Sequence, residues 1–130
     1  MLHHLAAIQH PLPAVILATD AVLALVDRGL AAHVGLLAVP AAFTYTTGQA
    51  HWELLLRARA VENLAWVVAP AQGGLHENGR RTWGHSMVVD PWGRVQAQFP
   101  QGEAVLLAEL DADRVAQCRA QLPALAHRRL

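Results

Sequence analysis

Lysine is missing from this sequence of 130 residues, because all ten of its basic residues are arginine. No side chain can therefore form a Schiff base, and no lysine can stabilise an oxyanion. Cysteine occurs once, at Cys118, which excludes an internal disulfide and a cysteine-rich zinc site. Charged residues make up only 15% of the chain, and ten acids balance the ten arginines. We expect neither a nucleic acid nor a membrane as a partner.

Long uninterrupted hydrophobic runs are missing as well. The first 29 residues are mostly apolar, but His10, Pro11, Pro13 and Asp20 interrupt them, and no lysine or arginine precedes Arg28. We expect neither a secretory signal peptide nor a membrane-spanning helix in this stretch. Together with the single cysteine, this favours a reducing compartment, so we expect a cytoplasmic location.

Eight histidines raise the question of a metal site. None of them lies in a His-Glu-x-x-His pattern, and the lone cysteine excludes a Cys-x-x-Cys pair. We therefore predict no metal ligands among His3, His4, His10, His33, His51, His76, His85 and His127.

Hydrophobic residues make up 54% of the chain, which suits one domain with a sizeable core. Turn-forming residues divide the chain into short elements, and no internal repeat is present. The pattern predicts strands over 34–40, 65–70 and 104–111, and a helix over 49–63. Residues 14–28 suit either a helix or a strand followed by a helix. A last helix is predicted to begin at a cap, either Asp111 or Asp113, and to end at Pro123.

The segment 49–63 has the clearest helical pattern. Thr47 can cap its first turn, and Glu53 and Arg57 have the spacing of an i to i+4 ion pair. Apolar residues three or four apart predict one stripe that faces the core: Ala50, Leu54, Ala58 and Val61. Because strands are predicted on both sides of this helix, we expect a right-handed crossover between two parallel strands, and hence a mixed α/β fold.

The stretch GHSMVVDPWGRV, residues 84–95, predicts a β-hairpin. Proline occupies the second position and glycine the fourth position of the turn 90–93. In the second arm, Val95, Ala97 and Phe99 alternate with polar residues, so we expect one face of that strand to be buried.

Two segments of the sequence resemble a known protein family. VPAAFTYTTGQAHWELLLRARAVENLAWVVAPAQGG, residues 39–74, and GHSMVVDPWGRV, residues 84–95, are similar to the second half of a nitrilase-superfamily carbon-nitrogen hydrolase. The sequence most resembles the Nit-like branch, whose amidases act on deaminated glutathione and related ω-amides. The resemblance covers about residues 34–130, including the tail LPALAHRR. We therefore interpret 1–130 as one partial hydrolase domain in which 1–33 is divergent.

The resemblance implies an α/β fold, namely the second half of a four-layer αββα sandwich with a mixed sheet, a C-terminal hairpin and a helix. Two such domains usually pair helices across a dimer interface, so a homo-oligomer is expected. Amide hydrolysis in this family needs no metal or organic cofactor, and we expect none here.

The family's catalytic residues are a cysteine nucleophile, a glutamate that moves protons and a lysine that stabilises the oxyanion. The cysteine normally follows a strand some twenty residues ahead of the position matching Pro40, in a stretch resembling CYDLRFPE, where this chain reads PAVILATD. The glutamate and lysine lie earlier still in the family, and this chain contains no lysine at all. We therefore assign no catalytic residue and expect the chain alone to be hydrolytically inactive.

The resemblance also implies which residues remain of the substrate pocket. Its wall would be formed by Phe43, Thr44, Tyr45, His51, Trp52, Gln72, His85 and Ser86. Three polar residues match family positions beside that pocket, and we interpret them as structural: Glu53, Glu62 and Asn63. Cys118 is interpreted as a small buried hydrophobic residue of the last helix rather than as a replacement nucleophile.

Three functional hypotheses follow. The first is an amidase-family chain for small linear amides that is catalytically incomplete, being truncated or degenerate. The second is a non-catalytic module that docks onto a full-length homologue through an exposed apolar surface. The third is a split enzyme, in which a complementing family chain supplies the glutamate, lysine and cysteine. In each case we expect apolar surface to remain exposed to solvent. The chain made alone should therefore self-associate.

Overall fold

The computed structural model describes residues 34–127 and, ahead of them, the backbone of one short strand. The strands are β1 (Val15–Leu17), β2 (Leu36–Ala38), β3 (Trp66–Ala69), β4 (Gly73–Leu75), β5 (Arg81–Trp83), β6 (Ser86–Val89) and β7 (Val95–Phe99). The helices are α1 (Tyr45–Asn63) and α2 (Ala112–Gln121), and a 3₁₀ turn follows at Ala124–His127. The predicted mixed α/β class is confirmed. No helix in these described residues is long and apolar enough to cross a membrane.

A five-stranded sheet has the order β1-β2-β3-β6-β7. Strands β1, β2 and β3 are parallel, whereas β6 and β7 run antiparallel to their neighbours, and β4 and β5 form a separate two-stranded ribbon. The crossover from β2 through α1 to β3 joins two parallel strands, as predicted. Of the predicted segment 14–28, β1 confirms a strand at 15–17, and the remainder lies outside the described residues.

Helix α1 begins earlier than the sequence predicts. Thr44, not Thr47, is the N-cap residue, and its carbonyl accepts a hydrogen bond from the Gly48 N–H at 2.7 Å. The reason is that Thr44 pairs with Thr82 in an antiparallel bridge, which ends the preceding loop at Thr44. At the other end, Leu64 adopts a left-handed conformation and the Ala65 N–H bonds the Ala60 carbonyl at 3.1 Å, which closes the helix in a Schellman motif.

The predicted core stripe of α1 is wrong. Ala50, Leu54, Ala58 and Val61 face solvent, and Leu54 is 66% exposed. The buried stripe is Gly48, Trp52, Leu56, Ala60 and Asn63. Both sets have helical spacing, and only one of them can face the sheet. The second set faces the sheet because it buries the large ring of Trp52. In addition, Gly48 lies so close to Trp83 that a Cβ added at Gly48 would lie 2.3 Å from the Trp83 Cβ. The predicted Glu53–Arg57 ion pair is present at 3.5 Å.

The predicted hairpin is confirmed as β6 and β7. The buried Asp90 carboxylate accepts hydrogen bonds from the backbone N–H groups of Trp92 at 2.8 Å and Arg94 at 2.9 Å, which fixes the turn. Gly93 has φ +81°, a conformation that favours glycine, and its carbonyl accepts a 2.8 Å bond from Arg57 Nε of α1. The turn is therefore held against the helix.

The face of the sheet opposite α1 is covered by the C-terminal part of the described chain. Leu110 of the segment before α2 and Val115 of α2 pack against Leu36, Trp66 and Val88. Asp111 is the N-cap of α2, because its carboxylate accepts the Asp113 N–H at 2.8 Å. The predicted strand over 104–111 is wrong as an assignment, since these residues form no strand in the structure. Their burial still alternates from residue to residue over 104–110, as it does along an extended segment that lies on a sheet.

Candidate functional site

The candidate site lies beyond the carboxyl ends of the parallel strands β2 and β3. The 39–44 loop and the 70–72 loop continue side by side past the sheet: the Ala41 N–H bonds the Pro70 carbonyl at 3.0 Å, and the Gln72 N–H bonds the Ala41 carbonyl at 2.9 Å. Open α/β sheets bind ligands outside the carboxyl ends of their strands. The fold therefore places these two loops where a ligand site is expected.

Ser86 fastens the 70–72 loop. Its Oγ accepts a hydrogen bond from the Ala71 N–H at 2.9 Å and donates one to the Ala71 carbonyl at 3.2 Å. The hydroxyl thus uses both its donor and its acceptor capacity on the backbone of Ala71. Ser86 accordingly positions the loop, and among the described residues its hydroxyl bonds the backbone rather than a base that could activate it as a nucleophile.

An aromatic wall, formed by Phe43 and Trp52, closes the inner side of the site. The two ring centroids are 5.4 Å apart at an interplanar angle of 42°, and the Trp52 Nε1 donates a 2.9 Å hydrogen bond to the His85 carbonyl. The Phe43 carbonyl accepts the Trp83 N–H at 2.9 Å. Three of the predicted site residues, Phe43, Trp52 and His85, are therefore joined directly.

An aromatic stack, formed by Arg81, Tyr45, Trp83 and His85, stands beside this wall. The Arg81 Cζ lies 3.5 Å from the Tyr45 ring centroid, Tyr45 meets Trp83 edge-on at 5.1 Å, and Trp83 stacks on His85 at 4.0 Å. Arg81 and Trp83 are site residues that the sequence analysis missed. Their alternate positions in the short strand β5 were the available signal, since residues two apart share one face of a strand.

The other predicted residues lie apart from these contacts. Thr44, His51 and Gln72 are exposed, and the Glu53 carboxylate is engaged by Arg57. Glu62 pairs with the Arg59 guanidinium, and Asn63 is fully buried with its Nδ2 donating to the Arg59 carbonyl. Glu62 and Asn63 lie in the last turn of α1, whereas the aromatic wall meets the first half of that helix.

A shallow opening of about 270 Å³ adjoins the aromatic stack. It is lined by Gly48, Gln49, Ala50, Glu53, Leu54, Trp83, His85 and Gln98. The opening offers aromatic surface, two amides, a carboxylate and an imidazole, but no thiol or lysine. These groups can bind and orient a polar ligand, and they include no thiol, hydroxyl or lysine amine that could attack it. Within the described residues, no group of three or more histidine, cysteine, aspartate or glutamate side chains could hold a metal ion.

Cys118 lies at the opposite end of the sheet. Helix α2, which carries it, is attached to the amino-terminal ends of β2 and β3: Arg119 bonds the Val34 carbonyl at 2.6 Å, and the Trp66 Nε1 bonds the Asp111 carbonyl at 2.9 Å. Cys118 is fully buried, and that burial raises the pKa of its thiol above the ordinary value of 9.0. A protonated, enclosed thiol is a poor nucleophile, so the interpretation as a buried hydrophobic residue fits the geometry.

Comparison with known proteins agrees with this architecture. The carbon-nitrogen hydrolase family model matches residues 8–120. The deaminated glutathione amidase of Synechocystis sp. (strain PCC 6803 / GT-S) is 50% identical over 90 residues, which are 69% of this chain and 33% of that protein. The chain thus spans about a third of the length of this relative.

Solved structures agree as well. The crystal structure of the C. elegans NitFhit protein has a TM-score of 0.79 and 44% identity, over 88% of this chain and 29% of that one. A mutant of the amidase from Nesterenkonia sp. AN1, in which acrylamide has added to the active-site cysteine, has a TM-score of 0.54 and 30% identity over 80% of this chain and 39% of that one. The chain therefore belongs to the carbon-nitrogen hydrolase family and has the fold of part of a nitrilase-type domain.

Proposed function

We propose that this protein contributes the substrate-facing wall of an amidase for small linear amides, and that it is catalytically incomplete as a single chain. One observation carries the proposal. The two loops and the aromatic wall at the carboxyl ends of β2 and β3 are joined by direct contacts, while the 130 residues contain no lysine and their single thiol is buried at the other end of the sheet. These contacts support a surface for a substrate, and the sequence supports the absence of the groups that would attack it.

The chemistry would be amide hydrolysis through a thioester. A cysteine thiolate attacks the amide carbonyl, a glutamate passes the thiol proton to the departing ammonia, and a lysine ammonium stabilises the oxyanion until water releases the acid. The acrylamide adduct on the active-site cysteine of the Nesterenkonia amidase supports a cysteine nucleophile in this family. The position matching the family's cysteine lies in the stretch PAVILATD, which contains no cysteine, and the chain has no lysine, so a complementing chain would have to supply these groups.

The residues of this chain would bind and orient the substrate. Ser86 holds the 70–72 loop, and Phe43 and Trp52 supply a rigid apolar surface beside it. The similarity to a deaminated glutathione amidase supports an ω-amide with a carboxylate-bearing chain as the substrate class. Arg81, whose guanidinium lies over Tyr45, belongs to the aromatic stack and would attract such a carboxylate.

The test is ammonia release from α-ketoglutaramate and from deaminated glutathione by the purified chain, with a Cys118→Ala variant beside it. We expect no turnover above the buffer rate in either preparation. Turnover by the unmodified chain that Cys118→Ala abolishes would overturn the proposal, because Cys118 would then be the nucleophile. Turnover that survives Cys118→Ala would also overturn it, since another group would then be acting.

A non-catalytic assembly module is the second candidate. It is favoured by large apolar side chains that are exposed on both sides of the sheet, with Leu54 at 66%, Val105 at 59% and Leu107 at 70%. Such a module would bind a full-length homologue or a second copy of itself without restoring hydrolysis. Adding the chain to the intact Synechocystis amidase distinguishes the two candidates, because a module would bind the intact enzyme, whereas a missing domain part would find its place already occupied.

A further inference from the structure

The turn that joins β4 to β5 contains one of the two asparagines of this chain, and a glycine follows it. Asn78 and Gly79 are both exposed at the tip of the ribbon. The other asparagine, Asn63, is fully buried at the end of α1, and a leucine follows it. The chain therefore holds the same side chain in two opposite environments.

A hydrogen bond folds the Asn78 side chain back onto the backbone of the turn. Its Oδ1 accepts the Arg80 N–H at 3.0 Å, which is the pattern of an Asx-turn. The side chain therefore lies over the peptide bond between Asn78 and Gly79, which keeps its Cγ near the Gly79 nitrogen. Intramolecular attack is fast when the two reacting atoms are held close together.

Glycine opposes such an attack less than any other residue, because it has no side chain to crowd the reacting carbon. Gly79 has φ +77°, which glycine adopts without strain. Its N–H bonds the His76 carbonyl at 2.9 Å, and this bond has to open before the nitrogen can attack. A short two-stranded ribbon with an exposed tip opens readily.

The Arg80 N–H assists at the oxygen of the amide. Negative charge develops on the Asn78 Oδ1 when its carbon is attacked, and the Arg80 N–H already donates to that oxygen. A donor aimed at an oxygen that becomes negatively charged lowers the barrier. Three consecutive residues of the turn thus hold the electrophile, the nucleophile and one stabilising donor.

We propose that Asn78 is a site of spontaneous deamidation in the folded chain. The Gly79 nitrogen loses its proton to solvent and attacks the Asn78 Cγ, and the bond from Cγ to Nδ2 breaks as ammonia leaves with a proton from solvent. The product is a five-membered succinimide. Water then opens either of the two bonds between the ring nitrogen and a carbonyl carbon, which gives aspartate or isoaspartate at position 78. Each conversion consumes a single water and releases a single ammonia.

The modification changes the charge and the shape of the turn. A carboxylate replaces an amide beside Glu77, on the turn that carries Arg80 and leads into β5. Because the formal net charge of the chain is zero, the converted chain carries −1. Isoaspartate also adds a methylene to the main chain between His76 and Arg80, whose N–H and carbonyl are joined at 2.8 Å. Ageing thus yields a more acidic form with an altered ribbon tip.

The experiment incubates the purified chain at neutral pH and constant temperature, folded in buffer and unfolded in guanidinium chloride. Trypsin cleaves after arginine, so both asparagines fall in one peptide, residues 60–80, and mass spectrometry of its fragments reports each position separately. A sample digested before incubation corrects for conversion during digestion. Ion exchange of the intact chain should resolve the more acidic form as it accumulates.

We expect Asn78 of the folded chain to convert at no less than about a third of its rate in the unfolded chain, because the exposed turn opens readily. Asn63 of the folded chain should convert at least about tenfold more slowly than Asn78, because the helix and its burial hold it away from attack. Conversion of Asn78 in the unfolded chain alone would overturn the inference. Equal conversion of both asparagines in the folded chain would overturn it as well.

Two variants test the chemistry. Asn78→Gln keeps an exposed amide but would need a six-membered ring, and Gly79→Ala adds a methyl group beside the attacking nitrogen, so each should slow conversion at position 78 by at least about tenfold. Circular dichroism verifies that both variants fold. An unchanged rate in either folded variant would overturn the inference.

Ammonia gives a second readout, which also separates this inference from the proposed function. The unmodified chain should release ammonia that approaches one equivalent per chain, and Asn78→Gln should release at least about tenfold less over the same time. Equal release by both would overturn the inference. Ammonia that continues beyond one equivalent when an ω-amide is added would contradict the proposed function and leave the deamidation of Asn78 standing.

Discussion

At the scale of single residues, His85 has a positive φ of 59° without being a glycine, and unlike Leu64, which has φ 45°, it does not end a helix. A left-handed backbone costs a side-chain-bearing residue about 1–2 kcal/mol. Gly84, with φ 74°, precedes it, and the two residues together turn the chain so that the His85 ring stacks on Trp83 while the His85 carbonyl accepts the Trp52 indole N–H. Strained residues cluster at binding sites, which supports a ligand-facing role for this corner.

Cys118 gives a residue-scale prediction of pH dependence. Burial is the main cause that raises the pKa of its thiol, Arg114 opposes the shift, and Asp90 reinforces it. Above the ordinary pKa of 9.0 the unfolded chain loses the thiol proton while the folded chain keeps it. The free energy of unfolding should therefore be unaffected by this thiol below that pH and should fall as the pH rises from it towards the raised pKa, by up to about 1.4 kcal/mol per pH unit.

Urea unfolding followed by tryptophan fluorescence, from about pH 7 to about pH 10, measures this effect. The Cys118→Ala variant serves as the control, because it has no thiol to titrate. The difference in unfolding free energy between the two proteins should shrink above the ordinary thiol pKa. A difference that stays constant across the range would contradict a raised pKa.

At the scale of elements, the sequence predicts the order of the elements better than it predicts the faces they bury. The hairpin was predictable because Asp90, Pro91 and Gly93 specify a turn locally, and the crossover was predictable from buried strands on both sides of one helix. The buried face of α1 was not, because two apolar stripes of equal spacing compete in it. The stripe that is buried includes Gly48, and its close contact with Trp83 is visible only in the tertiary structure.

The candidate site, like the elements, was predictable from the sequence only in part. Phe43 packs against Trp52, and Trp52 donates a hydrogen bond to the His85 carbonyl. The family resemblance named these three residues, but the sequence did not indicate the contacts between them. Arg81 and Trp83 were missed because they lie in a three-residue strand whose alternation is too short to recognise. Residues 104–111 were predicted as a strand, yet a strand also requires a neighbour, and that neighbour is not specified within these residues.

Arg119 provides a prediction at the element scale, since it ties three elements together. Its guanidinium donates to the Val34 carbonyl ahead of β2 and to the Asn63 carbonyl at the end of α1, at 2.6 and 3.2 Å. A cation is also favourable at a helix C-terminus. Arg119→Met should lower the free energy of unfolding by about 2 kcal/mol, because it removes charge-assisted bonds and leaves part-buried carbonyls unpaired.

Arg114→Met, on the same helix, is the matched control for this substitution. Arg114 lies 3.9 Å from the Asp90 carboxylate, which already accepts backbone hydrogen bonds, so we expect a loss of at most about 1 kcal/mol. Urea unfolding of both variants measures the comparison. Equal losses would show that α2 is held by packing rather than by the bonds of Arg119.

At the scale of the whole molecule, the described chain is a sheet with a complete layer on one side and a partial layer on the other. Helix α1 covers one face, while the other face carries α2 and the extended residues 105–110. Apolar side chains are therefore open to water on both sides, as Leu54 and Leu107 show. The proposed function predicts that association completes a part with this shape and supplies the catalytic groups of the candidate site at the ends of β2 and β3.

The last prediction is that the chain made alone self-associates, because exposed apolar surface of this extent drives association in water. Sedimentation velocity should give an average mass that rises with concentration, and a Leu54→Glu, Leu107→Glu double variant should lower it. Gln49→Glu with Gln98→Glu adds the same charge at exposed polar positions, so its association should remain close to that of the unmodified chain. A compact monomer at every concentration would contradict the prediction, and equal lowering by both double variants would assign the association to charge rather than to apolar contact.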